Sequence, residues 1–324
     1  MRSPIVGLHH VTAIASDPQR NLDFYTQVLG LRFVKRTVNF DDPGTYHFYF
    51  GDDVGTPGTI LTFFPWVGAS KGRRGIGETT ATAFSIPVGS MAYWRRRLNS
   101  RGIVIQEIIH FGSTHLSFSD PDGMVLELVE HAEVQAVSVP RYSDVPAESA
   151  IQGFFGTTLL ERDLTRTEGL LDLMGYRKLA DEGDRSRYAP EGDARGRFLD
   201  IVVDKDAQPG HMGAGTVHHI AFRASDDSAQ LDWQQELGRH VSVTPVQDRT
   251  YFHSIYFREP GGVLFEIATD APGFLIDEPV ESLGEGLRIP IWFEAQRSLI
   301  EARVEPITLH KADHSSAVES EMAL

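Results

Sequence analysis

The chain has 324 residues, 41% hydrophobic and 23% charged, close to the globular average and long enough for two domains of ordinary size. Its formal net charge of −15 argues against a nucleic-acid surface, because phosphate backbones call for basic patches, and no apolar run reaches the roughly 18 residues of a membrane-spanning helix. The absence of cysteine excludes disulfides, thiolate metal ligands and cysteine nucleophiles, and with no signal-like apolar segment before His9 a cytoplasmic protein is expected.

Leu8 to Ala15 reads as a β-rich segment running into Asp17-Pro18, a helix N-cap followed by proline at the first helical position. Leu22, Tyr25, Val28 and Leu29 recur at helical spacing until Gly30 stops the helix. Leu31 to Val38, Tyr46 to Phe50 and Thr59 to Phe64 are β-branched and aromatic runs, set apart by Asp42-Pro43-Gly44 and Gly55-Thr56-Pro57-Gly58. The order is therefore β-α-β-β-β. Lys71-Gly72-Arg73-Arg74, among further glycines, lacks the residue order of a phosphate loop and reads as a flexible connector.

The same order returns three times. A second unit has Thr79 to Ile86, a helix carrying Met91, Trp94 and Leu98, and strands at Val104 to Ile109, His115 to Ser119 and Met124 to Glu130. After a linker at 134–149, the third unit runs from Gly153 to Leu160 through a helix ending at Met174-Gly175-Tyr176 to strands at Arg187 to Ala189 and Phe198 to Val203. The fourth has Val217 to Ala224, a helix with Leu231, Trp233 and Leu237, and strands at Val241 to Val246, Ser254 to Arg258 and Val263 to Ala268. Beyond Asp270 come a Pro- and Gly-rich wrap, a short helix around Glu294 to Arg303 and a polar tail expected to be mobile. The class is α+β, with units one and two in an N-terminal domain (1–133), units three and four in a C-terminal domain (150–270), and the wrap and tail over 271–324.

Units one and four share more than their order. Leu8-His9-His10-Val11 recurs as Val217-His218-His219-Ile220, and Ala15-Ser16-Asp17 recurs at the same offset as Ala224-Ser225-Asp226. Units two and three have no histidine in their first strands, so a site built on the pairs joins unit one to unit four. Strand alternation turns one histidine of each pair toward the centre and the other away or along the rim. The last strand of unit four adds Glu266, whereas Thr59 to Phe64 of unit one offers no carboxylate. Two neutral imidazoles and one carboxylate, with positions left open, make the facial arrangement associated with non-haem ferrous iron. Glu127 closes a similar run in unit two but has no histidine strand to complement it, and reads as a structural remnant of the repeat. His47, His110, His115, His131, His211, His240 and His253 are scattered and read as structural or exposed.

These runs resemble the vicinal oxygen chelate superfamily, and within it the hydroquinone ring-cleaving dioxygenases. The resemblance extends from Leu8-His-His-Val-Thr12 through Gly30-Leu-Arg-Phe-Val-Lys-Arg-Thr37 and Gly55-Thr-Pro-Gly58 to Gly261-Gly-Val-Leu-Phe-Glu266. It implies two domains of paired modules with cup-shaped mixed sheets, and Fe(II), with Mn(II) or another divalent ion as substitute, held by His10, His219 and Glu266. It further implies that His9, Thr12, His218, Arg249 and Tyr256 surround the reacting groups, and that a small aromatic substrate and O2 are the partners. A homo-oligomer is permitted but not required. Two other readings stay open: a glyoxalase-like metal-dependent isomerase or lyase, for which the second carboxylate common in such sites is missing from unit one, and a metal-free small-molecule binding protein, against which the repeated histidines speak.

Overall fold

A computed structural model describes residues 3–132 and 139–309, so part of the expected linker and the polar tail lie outside the described residues. Module one holds β1 (Leu8–Ala15), α1 (Pro18–Asp23), β2 (Arg32–Val38), β3 (Tyr46–Gly51) and β4 (Ile60–Pro65). Module two holds β5 (Glu78–Ile86), α2 (Met91–Ser100), β6 (Gln106–His110), β7 (Ser113–Ser119) and β8 (Val125–Glu130). Module three holds β9 (Phe154–Glu161), α3 (Thr165–Leu173), β10 (Arg177–Glu182), β11 (Arg185–Ala189) and β12 (Phe198–Val203). Module four holds β13 (Val217–Ala224), α4 (Asp227–Leu237), β14 (Gln247–Asp248), β15 (Phe252–Arg258) and β16 (Leu264–Pro272).

Local chemistry accounts for most of these boundaries. The Asp17 carboxylate accepts the Arg20 N–H at 2.9 Å, capping α1 just before Pro18. The helix widens into a π-helical turn at Phe24–Val28 and stops where Gly30 takes φ +71°; a Cβ there would lie 2.5 Å from both Ser143 Oγ and Val145 Cγ2. Alternation then sorts the strands: Phe48, Phe50 and Phe63 turn to the helix side, where Tyr25 packs 4.6 Å from Phe63, while His47, Tyr49 and Thr62 turn to the opposite face.

Two eight-stranded mixed sheets result, in the orders β14-β15-β16-β13-β1-β4-β3-β2 and β10-β11-β12-β9-β5-β8-β7-β6. Each curves into a cup. Each also takes one module from either side of residues 134–149: modules one and four share the first sheet through antiparallel β1 and β13, and modules two and three share the second through β5 and β9. The connectors between modules are tied to each other. Lys71 bridges Ala214 and Arg73 bridges His211, so the stretch expected to be a flexible connector is paired backbone, and a Cβ on Gly75 would sit 2.3 Å from the Gln208 carbonyl oxygen.

Two elements depart from expectation. β10 was not anticipated, because its six residues are all exposed at the sheet edge and carry charges that blunt edge pairing instead of an alternating apolar pattern. Val241 to Val246 was expected as a strand but makes only the isolated bridge Val243–Phe257; the edge is the two-residue β14 instead. The segment after β16 covers the β2 edge, where Arg288 N–H donates to Arg36 O and the fully buried Lys35 ammonium is held between Asp277 and Glu278. The short helix expected near Glu294 is a 3-10 turn, Ile291–Gln296, running into α5 (Arg297–Arg303). Among the described residues no helix is long and apolar enough to cross a membrane.

Candidate metal centre and its pocket

The β1–β13 pairing brings the two histidine pairs together. Thr12 faces His219 and His10 faces Ala221 across the two central strands, so the pairs are related by a local two-fold. Bulges at His9 and at His218 break strict alternation, and the two rings of each pair meet edge-on: His10 and His219 turn to the centre, His9 to the rear and His218 to the border of the cavity. His9 Nδ1 lies 2.9 Å from His10 Nδ1, and His218 Nδ1 lies 2.8 Å from His219 Nδ1.

In each contact one Nδ1 donates and the other accepts. With His10 and His219 as the donors, their Nε2 atoms turn lone pairs to the centre. His10 Nε2 and His219 Nε2 are 3.4 Å apart, and Glu266 Oε2 lies 3.3 Å from the first and 2.9 Å from the second. Glu266 is fully buried, its Oε1 accepts from Ser254 Oγ, and Oε2 faces the two imidazole nitrogens.

Three ligand atoms that converge in one buried spot suit a cation. Ligand atoms about 2.1 Å from one ion stand about 3.0 Å apart in an octahedron and about 3.4 Å apart in a tetrahedron, and the observed 2.9, 3.3 and 3.4 Å fall in that range. Burial alone would raise the Glu266 carboxyl, but positive charge and hydrogen bonds from His10 and His219 bring it well below the usual carboxylate range, as a cation in their midst would. Among the described residues, His10, His219 and Glu266 form the one group of three or more donors close enough to hold a metal. A divalent ion therefore fits the residues present.

The strand registers explain why module one adds no carboxylate. Glu266 pairs with Ala221, two residues after His219; the same step in module one leads from His10 to Thr12 and across to Thr62. On the neighbouring strands Tyr256 sits opposite Glu266 and Tyr49 opposite Thr62. Thr62 is thus the counterpart of Glu266, and it is hydrogen-bonded to Thr12 at 2.8 Å and to His47 at 2.9 Å.

A cavity of about 400 Å³ opens on the centre, lined among others by His10, His219, His218, Arg249, Tyr256 and His47. Burial and then the Glu266 charge keep the Tyr256 phenol above its ordinary range, so it remains a proton donor. Its hydroxyl lies 3.2 Å from Arg249 Nε, and the same guanidinium reaches Asp41 at the mouth at 3.4 Å. Arg249 is aimed by a tight turn in which Thr250 takes φ +67° and donates its N–H to Asp248 Oδ1 at 2.7 Å. Burial, and then His219, bring the His218 imidazole down to about 3, so it is neutral at working pH.

The other two residues expected around the site stand behind it, outside the cavity lining. Thr12 is fully buried beneath the floor and does not line the cavity. His9 faces the rear, 5.1 Å from the Phe252 ring, against a separate cleft of about 220 Å³. Conversely, Asn39, Phe40, Phe64, Trp66, Thr244 and Gln247 line the cavity without having been anticipated, and so does His47. The spacing of His47 and Tyr49, which mirrors Ser254 and Tyr256, was the available sign for that wall. His115 and Glu127 form a buried pair at 2.7 Å in the other sheet.

Comparison with known proteins matches residues 7–128 and 163–267 to the Glyoxalase/Bleomycin resistance protein/Dioxygenase superfamily. The chain belongs to that superfamily. It is 48% identical over 315 residues to MhqO of Bacillus subtilis, covering 97% of this chain and 100% of that protein, whose name places it provisionally among ring-cleaving dioxygenases. It is 34% identical over 316 residues to the chlorohydroquinone/hydroquinone 1,2-dioxygenase of Sphingobium indicum, covering 94% and 98%. A crystal structure from Bacillus subtilis superposes with a TM-score of 0.92 at 48% identity, covering 95% of this superfamily member and 99% of that chain.

Proposed function

We propose that the protein is a non-haem, Fe(II)-dependent ring-cleaving dioxygenase of extradiol type that inserts O2 into a hydroquinone-type ring, methyl- or chloro-substituted rings included, beside a hydroxyl. The observation that carries the reading is the convergence of His10 Nε2, His219 Nε2 and Glu266 Oε2 within 3.4 Å at the floor of a cavity large enough for a substituted benzene ring. The names of the relatives point the same way. Glu266 and the two imidazoles would hold the ion, which when bound supplies Lewis acidity toward a phenol and redox access to O2. Mn(II) or another divalent metal fits the same donors.

The chain's own groups then act on the substrate. Tyr256, protonated and beside Glu266, donates a hydrogen bond to an oxygen placed at the floor. Arg249 supplies positive charge for an oxygen that gains negative charge as the ring reacts, and its contact with Asp41 keeps it over the mouth. His218 is neutral and borders the cavity, and its contact with His219 Nδ1 holds that ligand's ring in place. His9 holds His10 in the tautomer that leaves Nε2 free, and Thr12 anchors Thr62 behind the wall. A dissolved, cytoplasmic enzyme acting on small aromatics suits this chemistry.

Anaerobic purification, reconstitution with ferrous ion and oxygen-uptake measurements with hydroquinone, methylhydroquinone and chlorohydroquinone test the proposal. Metal-dependent uptake with stoichiometric ring opening is expected. Absence of uptake with all three, and with catechols, overturns it.

A further inference from the structure

The wall contributed by module one is built differently from the wall contributed by module four. Module four presents the donors Arg249 and Tyr256. Module one presents rings: His47 lies 4.1 Å from Tyr49 and 4.4 Å from Phe64, and Phe64 stacks on Trp66 at 5.7 Å and 23°. All four rings line the cavity, and His47 is partly exposed to it.

Both nitrogens of His47 are engaged behind this surface. Nδ1 is 2.8 Å from the Tyr49 hydroxyl, Nε2 is 2.9 Å from Thr62 Oγ1, and Thr62 donates onward to Thr12 at 2.8 Å. Burial, followed by the nearby His10 and His219, holds the imidazole neutral. What His47 offers the cavity is therefore a flat, uncharged ring locked in orientation, with no nitrogen left for a ligand to claim. The short Thr62 stands where module four has Glu266, so the donor set is open on the module-one side. An oxygen that approaches the donors from that side carries its attached group along the His47 wall.

We propose that His47, with Phe64 and Trp66, is the platform on which a planar aromatic ring lies while its oxygen enters the site, making His47 a residue that selects aromatic diols over aliphatic hydroxycarbonyl compounds. This deepens the dioxygenase reading and rests on it for the choice of diol. The platform needs no oxygen to bind a ring.

The test is anaerobic calorimetric titration of the full-length, zinc-loaded protein with methylhydroquinone. His47→Asn, which removes the ring, is expected to weaken binding about 3- to 10-fold, whereas His47→Phe, which keeps a ring, stays within about threefold of the parent. Zinc content should be unchanged in both, and in the iron-loaded protein KM should rise more than kcat falls for His47→Asn. Trp66→Leu, farther along the wall, guards against a folding defect at position 47 and should weaken binding about threefold. Unchanged affinity in both His47→Asn and Trp66→Leu overturns the platform, as does equal loss in His47→Asn and His47→Phe. Ring binding that depends on His47, together with no oxygen uptake by the iron-loaded protein, upholds the platform and removes the dioxygenase reading.

Discussion

The two cups are built on one plan, and the same four positions carry different chemistry in each. In the first cup the positions set by register are His10, His219, Thr62 and Glu266. In the second they are Gly156, Ala81, Asp200 and Glu127, since Ala83 pairs with both Gly156 and Glu127 and Asp200 pairs with Thr158. The second cup thus has two carboxylates and no imidazole at those positions. It satisfies them internally: His115 meets Glu127 at 2.7 Å, and Arg187 grips Asp200 at 2.7 and 2.9 Å while its guanidinium lies 4.3, 5.1 and 5.2 Å from the rings of Phe111, Phe198 and Phe155. A buried carboxylate that stays charged needs a cation or hydrogen-bond donors. In the second cup Arg185 and Arg187 serve Asp200, and in the first Glu266 faces two imidazole nitrogens.

That contrast can be broken from either side. The largest effect is expected for Glu266→Gln, which should lose bound metal by elemental analysis and more than about 100-fold in oxygen-uptake rate, beyond what an orienting residue costs. Its metal-free Tm should stay close to the parent's. Retained metal and rate would take Glu266 out of the donor set. The opposite signature is expected for Arg187→Met, which leaves the buried Asp200 with Arg185 alone, 3.0 Å away. Stability should fall by about 1–3 kcal/mol, with metal stoichiometry and KM kept in the folded fraction. A Tm loss of less than a degree would mean that Arg187 does not balance Asp200.

Tyr256→Phe sharpens the role of the first cup's wall, with a fall of about 10- to 100-fold in kcat at unchanged metal content. A rate within twofold of the parent would leave Tyr256 as packing alone.

A smaller effect is expected where the two sheets meet. Glu161 is fully buried, and Thr167 Oγ1 joins it to Glu259 at 2.8 and 2.7 Å. Burial, and then the Glu259 charge, push the Glu161 carboxyl up to about 8. A raised carboxyl holds a proton in the folded state that the unfolded chain has already released. Its contribution is therefore complete below the ordinary value of 4.5 and is lost as pH climbs from there toward 8. Glu161→Gln should flatten the decline of Tm over that window and raise Tm at pH 8 by about 2–4 °C. An equal Tm difference at pH 5 and pH 8 would show that no proton is held there. The smallest effect is expected for Thr250→Gly, which relieves a β-branched residue at φ +67° for a gain on the order of 1 kcal/mol or less, at some cost in kcat as Arg249 loosens. Lower stability in this variant would show that the turn is not strained.

The sequence by itself determined the four modules, the first strands Leu8–Ala15 and Val217–Ala224 to the residue, the Asp17 cap and the short list of donors. These are local facts: a strand's period, a cap's hydrogen bond and a repeated dipeptide are written in neighbouring residues. Reasoning from where histidines are missing also linked module one to module four. Only the tertiary structure decided the rest. Periodicity did not say which histidine of each pair turns inward, because bulges at His9 and His218, formed where β1 pairs with β13, break the alternation. His47 looked like a scattered histidine because its partners Thr62 and Thr12 are 15 and 50 positions apart in consecutive links. The pairing of modules across residues 134–149, and the arginine that fills the second cup, depend on strand registers between distant segments. A local pattern does not encode such registers, since shifting a strand by one residue exchanges its faces without changing its sequence.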